Sequence, residues 1–189
     1  MMKHSALCKK TAQWASKKAK VVLWEYQSFA TNEFPDVLSF DGYSSTIYEI
    51  KVSRSDFRAD AGKQARVRWK PKTAWYYGGR TRTLEGELYL QAERPELYYI
   101  EAPHLGAFRY YVAEFFTRED AMSHPRGWGF IRFSGSRFHV LRESAKFRRN
   151  LFEENSILTH ALRAAMHGSR SNIIVKPYLR PVAEEDKRQ

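Results

Sequence analysis

"EFPDVLSFDGYSSTIYEIKVSRSDF", Glu33 to Phe57, holds two short runs rich in β-branched and aromatic residues, "PDVLSF" and "STIYEIKV", on either side of "DGYSS". Asp41-Gly42 between apolar runs is a turn signal, so the stretch predicts a β-hairpin. Side chains alternate faces along a strand, which puts Glu49 and Lys51 on one face and Tyr48 and Ile50 on the other. Asp36 opens the first strand, and folding at the turn brings it opposite the end of "YEIK". Two carboxylates then meet beside one ammonium on an otherwise apolar sheet, an arrangement that is costly unless something binds the charges. Hard divalent cations take oxygen ligands, keep several waters, and use one or two carboxylates plus substrate phosphates. Asp36 and Glu49 offer that set, with Mg²⁺ or Mn²⁺ as the expected ion, while Lys51 orients a water or balances developing charge. A structural salt bridge on a half-exposed hairpin is the competing reading of the same three residues.

Outward from the hairpin, the residues from about Ala12 to Ala30 carry Trp14, Val21, Val22, Leu23, Tyr26 and Phe29 among lysines, which predicts a basic amphipathic helix closed by Pro35. Ser55 and Asp56 are placed as the cap of a helix running to about Lys70 and stopped at Pro71. "TAWYYGG" predicts a third strand, "GELYL" and "ELYYIEA" two further ones, and "FTREDAMSH" a short helix. "GWGFIRFSGSRFHVLRES" predicts a second hairpin around Ser134-Gly135-Ser136, residues Leu151 to His167 a terminal helix, and residues 181–189 a frayed tail. The order implies one domain over residues 1–189, with a core at about 12–150 in which a mixed α/β sheet packs on helices.

The 189 residues are 43% hydrophobic and 15% aromatic, too apolar for a disordered chain. Lys and Arg number 32 against 21 Asp and Glu, giving a net charge of +11 that favours polyanions, nucleic acid first. No apolar run reaches the roughly 18 residues of a membrane span, and the start lacks the apolar stretch of a secretory signal, so a cytoplasmic location is expected. The single Cys8 excludes an intrachain disulfide and is taken as incidental; the six histidines show no metal spacing and are taken as surface or packing residues. Arg54, Arg58, Lys63, Arg66, Arg68, Lys70 and Lys72 cluster just after the hairpin, where phosphate contact is expected rather than a merely solvated face.

Pro35-Asp36, a hairpin-length gap, then Glu49-Ile50-Lys51 resembles the PD-(D/E)xK motif of the restriction-endonuclease-like nuclease superfamily. "EIKVSRSDFRAD", "WYYGG", "LYYIEAP" and "HPRGWGFIRF" look like one branch of it, the MmcB-type DNA-repair proteins and their phage relatives, over roughly Trp24 to Glu143. The resemblance implies a restriction-endonuclease-like mixed sheet flanked by helices. It also implies a Mg²⁺- or Mn²⁺-dependent nuclease acting on DNA in repair or phage-type DNA processing. In that family Asp36, Glu49 and Ile50 would form the metal side of the site, and Lys51 would assist the attacking water. A helix glutamate that family members often add falls to Glu25 on the first helix, or else to Glu33. Gln64 and Lys63 would join Arg54, Arg58, Arg66 and Arg68 on the nucleic acid. The chain departs from the family after the motif, where the segment is the basic "GKQARVRWKPK". A basic DNA-binding module that cuts nothing is the alternative from another class, and an RNA-processing enzyme is a third reading.

Overall fold

The computed structural model describes residues 2–27, 34–60, 75–77, 80–82, 88–89, 105–123, 127–168 and 172–175. Its elements run α1 (His4–Ala15), β1 (Val21–Trp24), β2 (Val37–Phe40), β3 (Ser45–Ile50), α2 (Arg54–Ala59), β4 (Trp75–Tyr77), β5 (Arg80–Arg82), β6 (Leu88–Tyr89), β7 (Phe108–Ala113), α3 (Arg118–Ser123), β8 (Gly129–Phe133), β9 (Phe138–Arg142), α4 (Leu151–Met166) and β10 (Ile173–Val175). Seven strands form one mixed sheet in the order β10-β1-β2-β3-β7-β8-β9, and β4-β5-β6 form a separate small sheet. The main sheet is antiparallel except at β3/β7 and β7/β8. Parallel neighbours need a crossover, and the one between β3 and β7 contains α2 and the small sheet.

The expected β2–β3 hairpin is present, with Val37 opposite Tyr48 and Phe40 opposite Ser45. Asp41 closes its turn by accepting the Tyr43 and Ser44 N–H groups, each at 2.7 Å. Gly42 takes φ +106°, a conformation that other residues reach only with strain. Alternation then sorts the side chains into two cores. On one face α1 lays Leu7, Cys8, Ala12 and Ala15 against Val22, Val37, Tyr48, Ile50, Val112 and Ile131. On the other, Leu38, Ile47, Tyr111 and Phe130 pack with Phe57, Phe116 and Ala121 and with Ile157 and Ala161 of α4. A buried Glu154 ties α4 to the far end of β3, accepting from the Ser45 hydroxyl at 2.6 Å and the Gly106 N–H at 3.0 Å.

Several elements differ from the expectation. The helix placed from Ala12 to Ala30 is α1, which begins at His4 and ends at Ala15, followed by a strand over Val21–Trp24. β-Branched "VVLW" gains more by pairing with β2 on one side and β10 on the other than by prolonging a helix. Ser53, not Ser55 or Asp56, caps α2: its hydroxyl accepts the Asp56 N–H at 3.1 Å, and Asp56 accepts the Val52 N–H at 3.3 Å. α2 ends at Ala59 with Asp60 as its C-cap, and residues 61–74, including the rest of the expected helix, lie outside the described residues. Trp75–Tyr77 is a strand as expected but belongs to the small sheet; the strand that next joins β3 in the main sheet is β7. Leu88–Tyr89 is a strand as expected, whereas "ELYYIEA" and the tail at 181–189 lie outside the described residues. The short helix α3, the β8–β9 hairpin and the terminal helix α4 stand where they were expected.

Candidate metal centre

β2 and β3 position the centre by register. Val37 pairs with Tyr48, so Asp36, one residue before the strand, falls opposite Glu49. Its Oδ2 accepts the Ile50 N–H at 2.7 Å. Ile50 needs that partner because β7 is engaged by its neighbour, Lys51 donating to the Val112 carbonyl at 2.8 Å. The N–H and C=O of a strand residue leave by the same edge, so the Ile50 carbonyl opens toward Asp36 as well. Asp36 and the Ile50 backbone thus meet at the mouth of the hairpin, with Glu49 opposite Asp36 in the register.

Glu49 and Lys51 share the face expected of them, and both are buried, at 4% and 2% exposure. Lys51 Nζ lies 3.7 Å from Glu49 Oε2, but its shorter contact is Asp60 Oδ1 at 2.8 Å. The second Asp60 oxygen accepts the Tyr111 hydroxyl at 2.7 Å, and the Tyr111 ring lies 5.8 Å from the Lys51 ammonium. Asp60 therefore holds the ammonium from below while Glu49 flanks it from the strand.

The first turns of α1 supply the other wall. His4 Nε2 lies 3.3 Å from Asp36 Oδ1, and His4 Nδ1 lies 3.6 Å from Glu25 Oε1. The hydrogen bond to Asp36 is the largest influence on His4 and raises its pKa, against the opposing effect of burial. Below His4, one helical turn on, is Cys8, whose Sγ approaches His4 Nδ1 to 3.5 Å. Burial pushes the Cys8 thiol well above its ordinary range, reinforced by the negative charges of Asp36, Glu25 and Glu49. Three carboxylates thus act on one sulfur.

Glu25 is not on the first helix, as had been expected, but directly follows β1. Its N–H donates to the Asp36 carbonyl at 2.8 Å, and its φ of +46° is the one left-handed non-glycine conformation among the described residues. The strand places it at the site all the same, beside His4 and Ser5. Glu33, the second choice, lies outside the described residues, as do Lys63, Gln64, Arg66 and Arg68 of the expected nucleic-acid track. Arg58 is exposed on the last turn of α2. Arg54 is half-exposed but engaged, donating to Asp120 Oδ1 and Oδ2 and stacking over the Phe115 ring at 5.3 Å.

Asp60, His4 and Cys8 are site residues that sequence reasoning passed over. For His4 and Cys8 a signal existed, the four-residue spacing that aligns two side chains on one helix face, hidden because the helix start was placed too late. Asp60 carried none. A second basic feature also emerges: a groove of about 450 Å³ between α1 and the β8–β9 hairpin, lined by Lys10, Trp14, Lys17, Arg137, Phe138 and His139.

No protein-family model and no curated protein matches the chain. Among solved structures it is similar to the SPO1766 protein of unknown function from Silicibacter pomeroyi, with a TM-score of 0.51 at 15% identity, over 88% of this chain and 92% of that one. At that identity the likeness extends to the fold. Among the described residues no helix is long and apolar enough to cross a membrane.

Proposed function

We propose that this protein is a divalent-metal-dependent nuclease of the restriction-endonuclease-like kind, hydrolysing phosphodiester bonds of DNA. The observation that supports the reading is that Asp36 binds the Ile50 N–H at the open end of the β2–β3 hairpin, where the register sets Glu49 opposite Asp36, with Lys51 buried beside Glu49. The element order adds support: a helix, an antiparallel three-strand meander, a helix, then β7 parallel to β3.

The donor set fits a hard cation, since two carboxylates and a backbone carbonyl are all oxygen ligands. Asp36, Glu49 and Ile50 would hold Mg²⁺ or Mn²⁺, which when bound supplies Lewis-acid polarisation of a phosphate and a more acidic water. The remaining work falls to the chain. The Ile50 N–H fixes one Asp36 oxygen and thereby aims the other. Asp60 pairs with Lys51 independently of Glu49, so Lys51 would remain in place to steady negative charge on a phosphate were Glu49 to hold a cation. Asp60 is in this sense a positioning residue. The net charge of +11 and the basic groove along α1 supply attraction for the backbone of the substrate.

One observation favours the alternative of a binding module with a relic site: the polar groups are paired among themselves, Lys51 with Asp60 and Asp36 with His4. Nicking of supercoiled plasmid separates the two. The nuclease reading expects cutting in Mg²⁺ or Mn²⁺, none in EDTA, and loss of most activity in Asp36→Asn and Glu49→Gln with melting behaviour kept. Equal cutting by Asp36→Asn would rule out this centre as the site of cutting, and binding without cutting in every metal would favour the module.

A further inference from the structure

We infer that His4, Cys8 and Asp36 form a second metal site, built for a borderline-soft divalent cation of the zinc type rather than for Mg²⁺. The three offer one imidazole nitrogen, one sulfur and one carboxylate oxygen, all within 4.8 Å of one another. Sulfur and imidazole select zinc and its neighbours, while Mg²⁺ prefers oxygen alone. Asp36 is shared with the oxygen-ligand centre proposed above, so the two ions would compete for it, but the inference rests on the imidazole and the sulfur and not on the nuclease reading.

The spacing between donors is the main argument. Ligand atoms bound at 2.0–2.3 Å around a tetrahedral ion lie about 3.3–3.6 Å from one another. His4 Nε2 lies 3.3 Å from Asp36 Oδ1, and Cys8 Sγ lies 3.5 Å from His4 Nδ1 and 3.9 Å from Nε2, so a rotation of the partly exposed imidazole that turns Nε2 toward the sulfur completes two tetrahedron edges. His4 and Cys8 are one turn apart on α1, and Asp36 reaches them from the start of β2. Packing alone would bring a thiol under an imidazole; it does not call for a carboxylate on the far nitrogen of the ring.

The surroundings fit ligation. Metal-bound histidines commonly give their other nitrogen to a carboxylate, which sets the tautomer and the ring orientation; here His4 Nδ1 faces Glu25 Oε1 at 3.6 Å. Asp36 is held through Oδ2 by the Ile50 N–H, leaving Oδ1 directed at His4. Cys8 is sealed in the core under the site, while the His4 side chain is 39% and that of Asp36 22% exposed, so an ion can enter from solvent. Three protein ligands with the fourth place open to water is the pattern of a catalytic zinc site rather than of one that holds the fold together. On binding, the Cys8 thiol proton passes to solvent and a thiolate–metal bond forms.

Cobalt reports this directly, because Cys8 is the only cysteine of the chain and any thiolate-to-cobalt charge-transfer band must come from it. Full-length protein stripped with EDTA and desalted should develop that near-ultraviolet band with equimolar Co²⁺. Equimolar Zn²⁺ should remove the band, and excess Mg²⁺ should leave it. Cys8→Ser should abolish it, His4→Gln should weaken Co²⁺ binding at least tenfold, and Glu25→Ala should weaken it about 10–100-fold. His4 and Glu25 are partly exposed, so their variants test the site even if Cys8→Ser disturbs the core. Absence of the band in the parent at a tenfold excess of Co²⁺, or a band of undiminished affinity in His4→Gln, would overturn the site. Because Asp36 is shared with the oxygen-ligand centre proposed above, plasmid nicking in Mg²⁺ by His4→Gln, which keeps Asp36 and Glu49, reads the nuclease proposal separately.

Discussion

Lys51 is a charged side chain at 2% exposure, and its stability rests on Asp60, 2.8 Å away and itself 1% exposed. Removing one member of a buried pair strands the other, at a cost of about 3–5 kcal/mol, whereas replacing both is far milder. Asp60→Ala should therefore lower unfolding free energy by about 3–5 kcal/mol, and the double variant Lys51→Met/Asp60→Asn by clearly less, as read from urea denaturation. A single variant no worse than the double would mean that the pair does not hold the site. The face shared by Glu49 and Lys51 was legible from strand alternation, and so was the meeting of Asp36 with the end of "YEIK". Asp60 was not, because the chain between Lys51 and Asp60, nine positions apart, gives no sign that the end of α2 turns back beneath the sheet. Cys8 and the histidines were set aside for the same reason: their meaning depends on where α1 starts and on which strand end it crosses.

At the scale of elements, a polar clasp joins α2 to α3. Thr117 and Asp120 cap each other's N–H groups at the start of α3, and Arg54 of α2 binds the same carboxylate. The Arg54 hydrogen bond is the chief cause that holds the Asp120 carboxyl at about 2. A carboxyl depressed in the folded state contributes stability above its unfolded value near 3.9, and that contribution is lost as pH falls through about 2. The urea midpoint of the parent should thus exceed that of Asp120→Asn at pH 6, with the gap closing between about pH 4 and pH 2. A gap independent of pH would mean that the charge of Asp120 is not what the clasp uses.

The hairpins were legible because period-two alternation and turn residues occur together in them, as at Asp41-Gly42 and Ser134-Gly135-Ser136. β1 was misread because Val21, Val22 and Leu23 sit among lysines in a spacing that a helix also tolerates. β7 was missed altogether. Lying between two parallel neighbours, it is covered on both faces, Tyr111, Val112 and Ala113 being buried in succession, so it lacks the alternation that marks a strand.

Across the whole molecule, α1 links the two features that a nucleic acid would meet. Its first turns carry His4 and Cys8 at the acidic centre, while Lys10 farther along it and Lys17 just beyond its end line the basic groove. A helix of 12 residues spans about 18 Å, a reach of several nucleotides. Each phosphate neutralised on duplex DNA adds about −0.9 to the slope of log affinity against log salt. Reversing Lys10, Lys17 and Arg137 to Glu should flatten that slope by at least one such step, measured in Ca²⁺ to suppress cutting. An unchanged slope would move the contact surface away from α1.

The proposed metal centre is formed by Asp36, Glu49 and the Ile50 carbonyl beside Lys51. Anomalous diffraction from crystals soaked in Mn²⁺ tests it most directly. A metal-dependent centre gives a peak bounded by the Asp36 and Glu49 carboxylates and the Ile50 carbonyl, with Lys51 still on Asp60. Saturating Mn²⁺ that leaves this place empty, with Glu49 remaining on Lys51 and Asp36 on His4, would contradict it.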